Sequence, residues 1–173
     1  AEGVGLCRTE HMFFNEDRIN LFRSMILSES AEERSQYLEK LKKYQTKDFY
    51  GILKVMAGKQ VTIRLLDAPL HEFLPHNSQE MEAFLAFMKD NGVKISKAEL
   101  QARIDSLSEN NPMLGHRGCR IAVSYPEIYE MQVSAIFEAA CKLRKEKYKV
   151  EPEVMIPLVM NSTELKLILH GKK

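Results

Sequence analysis

A chain of 173 residues that is 45% hydrophobic and 28% charged carries enough apolar side chains for one sizeable core, which excludes a disordered chain. Its 25 Lys and Arg against 24 Asp and Glu leave a net charge of +1, so no general field draws it to nucleic acid or to an anionic membrane, and anion binding has to be local. No apolar run is long enough to cross a bilayer, and Ala1-Glu2-Gly3-Val4-Gly5 lacks the basic start and apolar middle of a signal peptide, so the expected compartment is the cytoplasm. Residues 4–7 read as a first strand. Ser30-x-x-Glu33 is a capping box, and Leu38, Leu41, Tyr44, Phe49, Ile52 and Met56 follow it at helical spacing. Residues 61–66 read as a second strand. A helix is expected over 79–91, ended by Gly92, and a second capping box, Ser96-x-x-Glu99, opens a helix with Leu100, Ile104 and Leu107 on one face. A strand is expected within 114–124, its ends blurred by Gly115 and Gly118. Pro126 suits the first turn of a helix carrying Ile128, Met131, Ala135, Ile136, Ala139 and Leu143. The last strand is expected at 154–159, and Asn161 with Glu164 opens a final helix.

Short β-branched runs alternating with amphipathic helices imply an α/β fold built on a parallel sheet. With no repeat, low-complexity tract or Gly/Ser linker, residues 1–173 read as a single unit with a helical excursion over about 75–110. Four strands are about half of a TIM-type (β/α)8 barrel, which takes roughly 200–250 residues to close, so a partial barrel cut from a longer chain is expected. An opened barrel leaves edge strands and apolar helix faces uncovered, and self-association or displaced ends are expected to relieve them.

Three segments join a strand to an arginine with Gly or acidic residues close by. They are Gly5-Leu6-Cys7-Arg8-Thr9-Glu10-His11, Thr62-Ile63-Arg64-Leu65-Leu66-Asp67, and Asn111-Pro112-Met113-Leu114-Gly115-His116-Arg117-Gly118-Cys119-Arg120. Strand ends in a parallel α/β barrel face one site, so Arg8, Arg64 and Arg117 are candidates for substrate binding. A guanidinium stays charged and offers a planar fork that matches two oxygens of a carboxylate or phosphate. An isolated arginine beside a strand more often pairs with a neighbouring carboxylate, and Glu10 and Asp67 are at hand for Arg8 and Arg64. Gly115-x-x-Gly118 fits no nucleotide loop. His11, His71, His76, His116 and His170 have no metal-ligand spacing, and His116 reads as structural. Cys7, Cys119 and Cys141 are an odd set without Cys-x-x-Cys and read as reduced packing residues.

These three segments, with the runs Val61-Thr62-Ile63-Arg64-Leu65-Leu66-Asp67-Ala68-Pro69-Leu70-His71-Glu72-Phe73-Leu74-Pro75, Tyr125-Pro126-Glu127-Ile128-Tyr129-Glu130-Met131-Gln132 and Glu153-Val154-Met155-Ile156-Pro157-Leu158-Val159, resemble the pyruvate phosphate dikinases among the enzymes that use phosphoenolpyruvate (PEP). The resemblance covers nearly the whole chain, with departures at Ala68 and Met160, where that family usually has Pro and Gly. Phosphoenolpyruvate synthase and enzyme I of the sugar phosphotransferase system share some elements but lack the Leu70-His71-Glu72-Phe73 run as it stands here.

The resemblance implies a piece of the C-terminal PEP/pyruvate-binding barrel of a phosphotransferase. That enzyme interconverts ATP, pyruvate and phosphate with AMP, phosphoenolpyruvate and pyrophosphate through a phosphohistidine on a swivelling domain. Arg8, Arg64 and Arg117 match positions that hold the phosphoryl group. The Mg2+ carboxylates and the proton-donating cysteine are expected beyond Lys173, so this chain carries no catalytic or metal residue and is expected to be inactive alone. The implied partners are phosphoenolpyruvate or pyruvate and the phosphohistidine and nucleotide domains of the same parent, with a homodimeric parent and no nucleic acid or membrane. Two alternatives stay open: a fragment from the synthase or enzyme I branch, and a non-enzymatic interaction module whose arginines make only structural ion pairs.

Overall fold

The computed structural model describes residues 1–108, 111 and 115–170. Among them, β1 (Gly3–Arg8), β2 (Gln60–Arg64) and β3 (Glu151–Met155) form one sheet in the order β1-β2-β3, with both pairings parallel. Seven α-helices accompany it among the described residues: α1 (Glu16–Leu27), α2 (Ala31–Val55), α3 (Ser78–Asp90), α4 (Lys97–Leu107), α5 (Cys119–Ser124), α6 (Pro126–Lys145) and α7 (Ser162–His170). This is the parallel α/β architecture expected from the alternation of strand and helix patterns.

The central strand shows how the sheet divides its faces. Val61 and Ile63 are fully buried and Thr62 and Arg64 only partly, the period of two that a strand with one face on a core must have. Val4, Cys7 and Val154 pack on the same side against the main core, where α2 lies against α6 and α1. Arg8, Arg64 and Met155 stand in register on the other face, and there Thr62 Oγ1 donates to Glu153 Oε2 at 2.7 Å.

The expected strand over 154–159 lies further back. Pro157 has no N–H for a ladder and Leu158 is left-handed at φ 60°, so the chain turns after Met155. The carbonyls of Pro157 and Leu158 accept instead from Cys119 N at 3.0 Å and Cys119 Sγ at 3.1 Å. The fourth strand expected within 114–124 is not formed over its described part. Gly118, at φ 60°, reverses the chain and Cys119–Ser124 is the helix α5, burying Cys119, Ile121 and Ala122. Residues 112–114 lie outside the described residues. The sheet therefore has three strands rather than four among the described residues.

Helix ends follow their caps. Ser96 and Glu99 close a complete capping box on α4, and Ser30 Oγ accepts from Glu33 N at 3.0 Å on α2, while Glu33 Oε2 reaches past Ser30 to Glu29 N at 3.1 Å. Gly92, at φ 80°, follows α3 as expected, and Asn161 Oδ1 accepts from Glu164 N at 2.9 Å at the start of α7. The sequence reading has no counterpart for α1. Its stripe of Leu21, Phe22 and Met25 is interrupted by buried Arg23 and Ser24, which hides the period. Arg23 reaches inward because Nε donates to Phe73 O at 2.8 Å and its fork pairs with Glu80. The excursion over 75–108 packs Met81, Phe84, Met88 and Leu100 with Leu27 and Leu74 into a small second core.

Beneath the carboxyl ends of β1 and β2, Phe13 stacks on Phe22 at 4.2 Å and Phe22 meets Phe73 at 4.5 Å. These rings fasten the 3-10 turns Thr9–Phe13 and Leu70–Phe73 to α1. Both turns lead away from the strand ends that carry Arg8 and Arg64, so the cluster anchors the floor of the candidate site.

Candidate functional site

Parallel pairing aligns the carboxyl ends of neighbouring strands, and the register sets Arg8 directly beside Arg64. One extra residue in β1 makes this pairing: Val4 faces Val61, but Cys7, three residues on, faces Ile63, only two residues on. Without that bulge Cys7 would stand beside Arg64 and Arg8 would lie one position past it, on the opposite face.

Each arginine has a different environment. Arg8 is exposed, and its guanidinium makes no hydrogen bond or ion pair among the described residues. Arg64 is mostly buried; Nη1 contacts Asp67 Oδ2 at 2.9 Å, Nη2 donates to Glu10 Oε1, and Nε has no partner among the described residues. Arg117 Nη2 donates to the same Asp67 Oδ2 at 3.0 Å, while its Nε donates to the Asp67 carbonyl at 3.0 Å and to Oδ1 at 3.3 Å. Asp67, 3% exposed, is thus one carboxylate shared by two forks.

Sequence proximity suggested Glu10 as a partner for Arg8. The turn Thr9–Phe13 carries it instead to Arg64 on the next strand, and Thr9 Oγ1 donates to the Arg64 carbonyl at 2.9 Å. Glu10 is itself buried, with Oε2 unpartnered among the described residues.

The segment after β2 is held by helix α6. Leu65 N still reaches Met155 O at 3.0 Å, but the next residue, Leu66, has both backbone groups taken by side chains. Its N–H donates to Gln132 Oε1 at 2.8 Å and its carbonyl accepts from Tyr129 Oη at 2.8 Å. Burial, seconded by the charge of Asp67, pushes the Tyr129 phenol far above its ordinary range, so it stays a donor. Neither residue was singled out from sequence. The readable signal was Gln132 on the α6 stripe, four residues from both Ile128 and Ile136: a polar side chain in an apolar row.

His116 lies within 3.0 Å of Ser124 Oγ and 3.3 Å of the Arg120 carbonyl, bridging the ends of α5. Cys119 is buried and Cys7 half-buried, and burial raises both thiols above the usual range. Cys141 is exposed on α6, so packing does not account for it as the sequence reading expected. Two shallow surface hollows, bounded by Glu39, Lys42, Lys43, Thr46 and Glu138 and by Leu85, Lys89, Val93 and Ile95, lie on other elements and share no residue with the arginines.

Two guanidiniums engage two buried carboxylates and Arg8 stands in register beside Arg64, so this corner keeps a positive balance although the whole chain is nearly neutral. Fold and site together define a parallel α/β unit with a preorganised cationic corner at its strand ends. The family model described as "PEP-utilising enzyme, PEP-binding domain" matches residues 1–170, and the chain belongs to that family. It is 66% identical over 174 residues to the pyruvate, phosphate dikinase of Treponema pallidum (strain Nichols), covering 100% of this chain and 19% of that protein. The Clostridium symbiosum dikinase is 51% identical over 169 residues, covering 97% of this chain and 19% of its own length. The chloroplastic dikinase 1 of Arabidopsis thaliana is 51% identical over 165 residues, with coverage of 95% and 17%. The family resemblance read from the motifs is therefore borne out, and the chain spans about a fifth of the length of these relatives. No helix among the described residues is long and apolar enough to cross a membrane.

Proposed function

We propose that this chain is the PEP-binding part of a cytoplasmic, homodimeric pyruvate, phosphate dikinase. Residues 1–173 would form a single unit within a TIM-type barrel, and Arg8, Arg64 and Arg117 would hold the phosphoryl group of phosphoenolpyruvate. The observation that carries this reading is the alignment of Arg8 with Arg64, and of Arg64 with Arg117 through Asp67, in a chain matched over residues 1–170 by the family's PEP-binding domain.

The chemistry asked of the arginines is charge neutralisation. As the phosphoryl group passes between a histidine nitrogen and the enolate oxygen, a P–N bond breaks while a P–O bond forms, and negative charge spreads over the equatorial oxygens. Donors already held in place stabilise that charge without reorganising. Asp67 and Glu10 supply the holding: they fix the planes of Arg64 and Arg117 before the ligand arrives.

Dikinase chemistry also implies Mg2+, which screens charge on the reacting oxygens. The described residues do not fit it. No group of three or more His, Cys, Asp or Glu among them can hold a metal ion, and Asp67 and Glu10 already engage guanidiniums. The ion's ligands would lie outside this chain.

Titration of the chain with phosphoenolpyruvate tests the reading. Weak binding that falls with added salt and is lost in Arg64→Ala is expected; binding indifferent to Arg64 and Arg117 overturns it. In a longer protein carrying this chain, pyrophosphate formation separates a dikinase from a synthase.

A further inference from the structure

We propose that Tyr129 and Gln132 of α6 are positioning residues for the anion site, acting together as a clamp on the backbone of Leu66 that sets where Asp67, and through it Arg64 and Arg117, stand. The inference rests on the reading that these arginines hold the phosphoryl group.

The two contacts meet on one residue. Leu66 is fully buried and lies two positions past the end of β2, where no strand among the described residues offers it a ladder partner. Gln132 Oε1 takes its N–H and Tyr129 Oη caps its carbonyl, both at 2.8 Å. A backbone unit tied at both polar groups has little freedom to rotate, and the next side chain is that of Asp67. Both forks are therefore referenced to α6 through a single peptide segment.

Packing alone does not explain Gln132. It is 0% exposed on a stripe with Ile128, Ala135 and Ile136, where an apolar side chain would fill the space without a polar atom to satisfy. Its Nε2 has no partner among the described residues, so the side chain is satisfied at one end only. A buried amide kept at that cost is accounted for by the contact its oxygen makes. Tyr129 is similarly buried, and the charge of Asp67 helps to keep its phenol protonated, so the clamp holds across the neutral range.

Tyr129→Phe removes one hydroxyl, and Gln132→Met removes the acceptor at nearly constant length. Phosphoenolpyruvate binding is measured by calorimetry on the folded fraction of each variant, alongside melting temperature and the NMR signals of the Arg64 and Arg117 Nε–H groups. Each single variant is expected to bind at least about tenfold more weakly while remaining folded, with both arginine signals displaced, and the double variant to lose less than the product of the two. Lowered melting temperatures with unchanged affinity and unchanged arginine signals would make the pair merely structural and overturn the proposal. Failure of the unsubstituted chain to bind phosphoenolpyruvate would instead overturn the function on which it rests, and the proposal with it.

Discussion

Exchanging Arg64 for lysine keeps the charge but removes a fork that contacts two carboxylates at once. A single ammonium cannot span Glu10 and Asp67 in the same plane, so in a full-length enzyme carrying this chain Arg64→Lys should cut turnover by roughly 100-fold or more. A steady-state assay checks this, and near-normal turnover would refute the role assigned to the fork. Asp67→Asn should cost about 3 kcal/mol of stability, because two largely buried guanidiniums would lose their shared counter-charge; a denaturant titration measures it. The thiols offer a chemical check on burial. Cys141 is exposed, whereas Cys7 and Cys119 are shielded and have raised pKa values, so alkylation at neutral pH should label Cys141 first. Tyr129 adds a pH dependence with a definite sign. Its folded pKa lies above the ordinary value of 10.0, so its contribution to stability is complete below that value and is lost as the pH rises beyond it. Alkaline unfolding should therefore be steeper than in Tyr129→Phe.

Strand β1 places its arginine by an irregularity rather than by its pattern. Inserting one residue after Gly5 would lengthen the segment between Val4 and Cys7, and with the single bulge kept the register rule then puts Cys7 beside Arg64 and turns Arg8 to the opposite face. The expected outcome is a folded chain with phosphoenolpyruvate affinity reduced as far as in Arg8→Ala, measured by calorimetry. Retained affinity would mean that Arg8 is not part of the site. At the entry to α5, a methyl group on Gly118 would meet Leu158 side-chain atoms at 3.0 Å at a residue with φ 60°. Gly118→Ala should thus cost about 1–3 kcal/mol and disturb Arg117 next to it, whereas Gly92→Ala, strained but in open space, should cost less. Helix α4 depends on its cap: Ser96→Ala removes half of the capping box and should cost about 1 kcal/mol, localised by hydrogen exchange to α4.

The whole molecule leaves apolar side chains uncovered on one side. Leu6 and Met155 project from the sheet face opposite the main core, and Leu158, Met160 and Leu169 are exposed on the turn and helix that follow β3. A sheet with an open edge and such a face is expected to self-associate as concentration rises. Sedimentation velocity would show mass increasing with concentration; a strict monomer at high concentration would count against it. The isolated chain should also consume no pyrophosphate with phosphoenolpyruvate and AMP, since an anion clamp supplies neither a phosphohistidine nor a nucleotide site.

The sequence alone determined the local grammar: where β2 runs, where α2, α4 and α6 begin, that Gly92 ends a helix, and that the strands are parallel. Each of these is set by neighbours a few residues away, through caps, periodicity and the need for crossover connections. The family was legible for the same reason, being written in contiguous runs around Arg8, Arg64 and Arg117. Tertiary structure decided what depends on distant partners. It hid α1 behind the inward reach of Arg23, turned the expected strand before Ser124 into a helix, and gave Glu10 to Arg64 rather than Arg8. It also gathered Arg64 and Arg117 on Asp67 and tied Leu66 to Tyr129 and Gln132, more than sixty residues away along the chain. No local pattern encodes such pairings, because a buried polar group selects whichever partner the packed core brings within hydrogen-bond reach.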